Sequence, residues 1–177
     1  MRRIALGVAV LMLALVSTGV SQETTSPQPT SPQATSPQAT APKPHVMTAP
    51  ADIKWGDPPP VFEKGATFAV LAGNPAEAGL FTVRIKAPAG YKVMPHWHPT
   101  DEHVTVISGT FMLGMGEKFD KATMTTLPAG GYALLPAEMR HYAMAKTAVV
   151  VQINGQGPFA LTYVNPADDP STRTQVK

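Results

Sequence analysis

The sequence predicts an all-β domain, a sandwich or a barrel, and three observations carry that expectation. From about Val46 onward the chain breaks into short apolar runs, among them "ATFAVLAG", "GLFTVRIKAPAG", "EHVTVISGTFMLGMG" and "TAVVVQING". Most span about four to eight residues, are rich in β-branched and aromatic side chains, and are separated by Gly, Pro or Asn at intervals of about ten. Several of them alternate. In Phe81-Thr82-Val83-Arg84-Ile85-Lys86 the apolar residues take the odd positions and the polar ones the even, as a strand with one buried face requires. Finally, no run of helical length carries a clean period of about 3.6 residues. "TMTTLPAGGYALLP", "RHYAMA" and "FALTYVNP" complete the series of expected strands, and only "DKATM" invites a short helix.

Two segments of different character precede this domain. Residues 1–21 read as a secretory signal peptide: Arg2 and Arg3 supply a positive start, Ile4 to Val16 is an apolar run, and Gly19 and Ser21 are small residues before a cleavage point. The run is shorter than the about 20 residues that a bilayer-crossing helix needs, so cleavage is expected rather than anchoring, with no membrane span afterwards. The protein is therefore expected to be exported, either periplasmic or secreted. Residues 22–46 hold the repeat "TSPQP", "TSPQA", "TSPQA", "TAPKP". Proline at this density fixes φ and removes donors, and too little apolar surface is present to form a core. This stretch is expected to be a disordered, stiff linker, and His45 within it is given no role. The β domain is placed at residues 47–170, followed by a tail at 171–177.

Composition narrows the function. The 177 residues are 44% hydrophobic and 15% charged, with a formal net charge of +2. No Lys/Arg cluster is longer than a pair, which argues against nucleic acid as a partner. There is no cysteine, so neither a disulfide nor a cysteine zinc site is available. An exported domain of this kind must stand on its own core or on a bound metal.

Histidine is concentrated in one place. The chain has five histidines, and the stretch "HWHPTDEH" at 96–103 contains three of them, with an aspartate and a glutamate. On a strand, His96 and His98 face one way and Trp97 the other. Pro99 and Thr100 make a bend, the strand resumes at Glu102, and Glu102, Val104 and Val106 share a face until the "SGT" turn at Gly109. Two imidazoles and a carboxylate can thus converge. His141, in "LLPAEMRHY", is weak evidence alone but completes such a set. A borderline divalent metal accepts imidazole nitrogen and carboxylate oxygen. Three neutral histidines and one carboxylate leave it a residual charge near +1, and a six-coordinate ion would keep positions open for a ligand.

These residues resemble the cupin superfamily. Its first motif, G(X)5HXH(X)3–4E(X)6G, is matched in full by Gly90, "YKVMP", His96, Trp97, His98, "PTD", Glu102, "HVTVIS" and Gly109. The second, G(X)5PXG(X)2H(X)3N, is matched in part by Gly130, Pro136 and His141. Glu138 stands in place of its glycine and Ala145 in place of its asparagine. Glycine at the first of these positions would supply a positive φ without steric cost. The resemblance covers about residues 60–165. It implies a double-stranded β-helix, the jelly-roll barrel, with His96, His98, Glu102 and His141 as ligands to a divalent transition metal such as Mn, Fe, Zn or Ni. It further implies a small-molecule substrate or ligand, anionic or oxygen-bearing. The activity would be that of a dioxygenase, decarboxylase or isomerase, or else non-catalytic binding and sensing. A homodimer formed through strand exchange would also be in keeping.

The other polar and aromatic residues have plainer expected roles. His103 follows a ligand position and should face outward; Asp101 should shape the bend. Trp97 and Tyr142 should pack away from the site. Met94, Met112, Met115, Met124, Met139 and Met144 are expected to fill core. Arg84, Gln152 and Tyr163 lie on expected strands, and each has the chemistry to bind an anion if it points inward.

Overall fold

The computed structural model describes residues 45–173. The expected signal segment, the linker up to residue 44 and the last four residues of the expected tail lie outside the described residues. Ten strands take up a little under half of the described residues: β1 (Thr67–Ala72), β2 (Gly79–Ala87), β3 (Lys92–Trp97), β4 (Glu102–Ser108), β5 (Thr110–Met115), β6 (Thr125–Pro128), β7 (Tyr132–Leu135), β8 (His141–Ala145), β9 (Val149–Gly157) and β10 (Thr162–Tyr163). They form two five-stranded antiparallel sheets, ordered β1-β2-β9-β4-β7 and β10-β3-β8-β5-β6. This is the double-stranded β-helix expected from the sequence. The "DKATM" segment gives only a 3-10 turn, Lys121–Thr123, capped by the Asp120 side chain. No helix of the described residues is long and apolar enough to cross a membrane.

Alternation in the sequence becomes layering in the fold. Phe81, Val83 and Ile85 of β2 are buried and register against Gly155, Ile153 and Val151 of β9. Ile153 and Val151 in turn face Val104 and Val106 of β4. Leu113, Ala143 and Ala145 bring the second sheet into the same cluster. The out-of-phase residues of β2 and β9 point away from it. Arg84 Nε donates to Gln152 Oε1 at 3.0 Å, and Asn154 Nδ2 donates to Thr82 Oγ1 at 2.7 Å. Arg84 and Gln152 therefore sit outside the barrel and not in its interior.

On the opposite face of the second sheet, Tyr142 packs with Met112, Met124, Met144 and Phe119. Its hydroxyl hydrogen-bonds with Thr123 Oγ1 at 2.8 Å and donates to Asp120 O at 3.1 Å. The expectation that methionine fills core holds there but fails for Met115, at the end of β5, and Met139, in the turn before β8, which are 52% and 39% exposed. The run "TMTTLPAGGYALLP" also divides, with β6 in one sheet and β7 in the other. A turn at Pro128–Gly131 separates them, where Gly130 takes φ 85° and donates its N–H to Val106 O.

Two motif glycines take left-handed backbone for different reasons. Gly109 has φ 77°, and a Cβ there would lie 2.1 Å from Ala148 O. Gly90 has φ 83° with nothing within 4 Å of such a Cβ. Gly90→Ala should therefore cost about 1 kcal/mol, the conformational penalty alone, whereas Gly109→Ala should cost about 2–3 kcal/mol or more. Chemical denaturation of the two variants tests this ranking; equal losses would mean that the Ala148 contact relaxes freely.

A candidate metal centre

Three elements of the fold deliver the four residues. His96 lies near the end of β3 and pairs directly with His141, the first residue of β8. His98 follows β3, and Glu102 opens β4 in the other sheet. All four are buried, each at 5% exposure or less. Glu102 pairs with Gly155 of β9, and that glycine matters: a Cβ there would meet the Phe81 ring at 2.9 Å and Asp101 O at 3.2 Å.

Each imidazole is aimed by the backbone. Nδ1 of His96 hydrogen-bonds to Met94 O at 2.7 Å, that of His98 to Ala160 O at 2.7 Å, and that of His141 to Met139 O at 2.9 Å. A carbonyl oxygen only accepts, so every Nδ1 carries the proton and every Nε2 is left as the potential donor to a metal. The Met94 carbonyl is available because β3 bulges. Between Val93 and His96 it gains a residue on β8, at Pro95, which has no N–H to give a ladder. The Met139 carbonyl is placed by the turn before β8, where Glu138 adopts φ 63°. Glutamate thus holds the left-handed conformation for which the second motif normally supplies glycine, and the turn geometry survives the departure. Two bonds lock it: Glu138 N–H donates to His98 O and Ala137 N–H to Asp101 Oδ1, both at 2.8 Å. Asp101 is accordingly a turn residue, as expected, but one that ties the two motifs together.

The inward atoms converge. The ligand atoms of His96, His98 and His141 lie within 4.8 Å of one another. Glu102 Oε2 stands 3.3 Å from His141 Nε2 and 3.7 Å from His98 Nε2. Two donors each about 2.1 Å from a common ion lie about 3.0–3.4 Å apart at angles between octahedral and tetrahedral, so these spacings are near those of a ligand shell. His98 Nε2 is buried with no hydrogen-bond partner. Glu102 is buried with no Lys or Arg in its ion-pair contacts among the described residues. An unpartnered nitrogen and an uncompensated carboxylate facing one point fit a cation between them.

Protonation agrees. Burial holds His96 well below the ordinary histidine range, reinforced by the nearby imidazoles of His141 and His98. Burial also lowers His98, against the opposing pull of the Glu102 carboxylate. Both rings are neutral at neutral pH, the form a metal needs.

Sequence reasoning missed the wall behind His98. The Phe159 ring stacks on it with centroids 4.2 Å apart and planes 16° apart, and Ala160 supplies its acceptor carbonyl. The run "FALTYVNP" reads as one strand, but only Thr162–Tyr163 pairs. Of the three residues left open as anion binders, Tyr163 alone approaches the site. It is buried 6.1 Å from His96 between centroids, and its hydroxyl is already given to Val61 O. His103 faces outward and hydrogen-bonds with Tyr132, and Trp97 packs under Arg140 on the outer surface.

The four residues edge a cavity of about 330 Å³ whose remaining wall is apolar. The family described as the ChrR cupin-like domain matches residues 43–160. The chain belongs to this family. Solved structures share the cupin fold. The polyketide cyclase RemF from Streptomyces resistomycificus superposes with a TM-score of 0.60 at 14% identity, over 72% of this chain and 90% of that one. A candidate acetylacetone dioxygenase from Methylibium petroleiphilum PM1 gives 0.55 at 24%, over 75% and 90%. An RmlC-like cupin from Shewanella frigidimarina NCIMB 400 gives 0.51 at 18%, over 64% and 91%. At these identities the likeness is one of fold alone. No curated protein matches the chain.

Two predictions follow from the geometry of this cupin. Asp101→Ala removes the acceptor for Ala137 N–H and should cost about 1 kcal/mol in denaturant unfolding, while Asp101→Asn, which keeps an oxygen there, should lose little. Equal losses would assign the effect to charge instead. The second concerns pH. His96 and His98 have folded values below their unfolded value of about 6.5, so they leave stability untouched above that pH. Below it the unfolded chain takes up protons that the folded site refuses, and stability declines. The melting temperature of metal-free protein should fall between about pH 7 and pH 5, and more shallowly in His96→Asn; an unchanged slope would remove His96 as a source.

Proposed function

We propose that this cupin binds a divalent transition metal through His96, His98, His141 and Glu102, and through it a small oxygen-bearing molecule. The observation that carries this reading is the buried, unpartnered Nε2 of His98, aimed with two other backbone-oriented imidazoles at the Glu102 carboxylate. When bound, such an ion supplies Lewis acidity, polarising an oxygen of the molecule it holds. The chain's own part is to orient the four donors, to keep His96 and His98 unprotonated and to surround the centre with apolar side chains. Mn, Fe, Zn and Ni all suit three nitrogens and one oxygen. A dioxygenase-, decarboxylase- or isomerase-type reaction is the catalytic form of the proposal. Residues 1–21 support export, to the periplasm or beyond, as its setting.

One observation favours the non-catalytic form, a small-molecule binding or sensing module. Among the described residues, and apart from the four proposed ligands, the only titratable side chain on the cavity wall is Tyr91. Burial, with the Glu63 carboxylate nearby, pushes Tyr91 up to about 12, and its hydroxyl donates to Glu63 O at 2.7 Å. Among the described residues of this wall, no side chain beyond the four is therefore free to act as a separate general base at neutral pH.

Elemental analysis of the untagged protein, purified without chelators or nickel resin, tests the metal beside a His96→Ala/His141→Ala variant. Near-stoichiometric metal in the wild type and its loss from the variant is the expected result. Iron or manganese would direct substrate screens toward oxygen-consuming or decarboxylating reactions; zinc or nickel would direct them toward isomerisation or binding. An absence of metal in both proteins after reconstitution would end the proposal.

A further inference from the structure

The cavity wall constrains what the proposed metal could hold. Its polar groups are gathered at one pole, in the three histidines and Glu102. Everywhere else the lining is hydrocarbon or aromatic, as in Phe81, Val83, Leu113, Val151, Ile153 and Phe159, with no Lys, Arg, Asp, Ser, Thr, Asn or Gln among the described residues. The cations and amides of the neighbouring strands are spent on the outer surface, where Arg84, Gln152 and Asn154 bond to one another and to Thr82. The Tyr91 hydroxyl is committed to a backbone carbonyl. At about 330 Å³ the space equals the liquid volume of roughly eleven waters, enough for a single aromatic ring with a small head group.

Resting on the metal reading, we propose a narrower ligand class: a molecule with one chelating oxygen head that binds as a monoanion, joined to an uncharged apolar body. Charge sets the head. A divalent ion with one carboxylate keeps about one positive charge, which a monoanionic head neutralises in a medium too apolar to screen it. The wall sets the body. A second carboxylate or a phosphate at the far end would lie against an apolar wall with no cation to meet it, and a sugar's hydroxyls would find no side-chain partners there. Polyanions and carbohydrates are thereby excluded, and the Phe159 ring, stacked on His98, offers an aromatic body a surface beside the head.

The test uses the full chain, zinc-loaded and metal-free, titrated calorimetrically with three probes. Benzohydroxamic acid has the oxygen head and a neutral ring. Acetohydroxamic acid has the head without the ring. 4-Carboxybenzohydroxamic acid adds a charge at the far end. The loaded protein is expected to bind the first at least tenfold more tightly than either other probe, and the metal-free protein to lose at least tenfold of that affinity. Phe159→Leu should weaken the benzo probe several-fold more than the aceto probe, whose own change reads any disturbance of His98. Tighter or equal binding of the carboxylated or the ringless probe would overturn the proposal, as would binding of no probe or indifference to Phe159→Leu. A preference for the neutral ring that is the same in loaded and metal-free protein would uphold the apolar body but overturn the metal-facing head. That outcome separates failure of the metal reading from failure of the ligand class.

Discussion

The donation of each Nδ1–H to a main-chain carbonyl is the interaction on which the rest of the site depends. Without it the three imidazoles would be free to rotate or change tautomer, and no Nε2 would be committed to the centre. The three acceptors come from unrelated places: the bulge at Met94–Pro95, the turn at Met139, and Ala160 beyond β9. Each must be held for its own reason. Proline breaks the β3 ladder, Glu138 takes a left-handed conformation, and the chain after Gly157 packs its Phe159 ring against His98. The site is thus prepared by the backbone before any ion arrives, and small errors in any of the three segments would be felt at the centre.

The bonds between the two motifs extend that logic. Glu138 N–H to His98 O and Ala137 N–H to Asp101 Oδ1 join the stretch carrying three of the four residues to the turn carrying the fourth. They also explain how glutamate is tolerated where the motif has glycine. A non-glycine residue at positive φ is strained by about 1–2 kcal/mol, and tethered neighbours over-determine the conformation. The strain is held by the site's own scaffold.

Much of this was legible in the sequence, and the illegible part has a common cause. Period-two alternation places Phe81, Val83 and Ile85 inside and Thr82, Arg84 and Lys86 outside without further information. Spacing alone brings His96, His98 and Glu102 to one side. Alternation does not say which sheet a strand joins, so the division of "TMTTLPAGGYALLP" into β6 and β7 was hidden. Nor does it say where a strand ends, and Met115 and Met139 lie exposed at the end of β5 and in the turn before β8. The carbonyl acceptors were invisible altogether, since a backbone oxygen has no side-chain signature. Phe159 and Ala160 lie about 60 residues beyond His98, and only the closed barrel makes them its neighbours.

The interior is left more open than packing alone would retain. Protein cores are filled to crystal-like density, and residual voids in mutant cores cost about 24 cal/mol per Å³. The apolar space of about 330 Å³ beside the four residues, open at its mouth, is an exception to that density. Larger side chains at small positions lining it, such as Ala87, Ala143 and Ala145, would close it. The barrel instead keeps alanine there and, among the described residues, places the buried, unpartnered Nε2 of His98 and the Glu102 carboxylate, which has no Lys or Arg ion pair, on the same wall. An apolar space left unfilled and polarity left unsatisfied at one pole both have a natural resolution in a ligand that fills the first and completes the second.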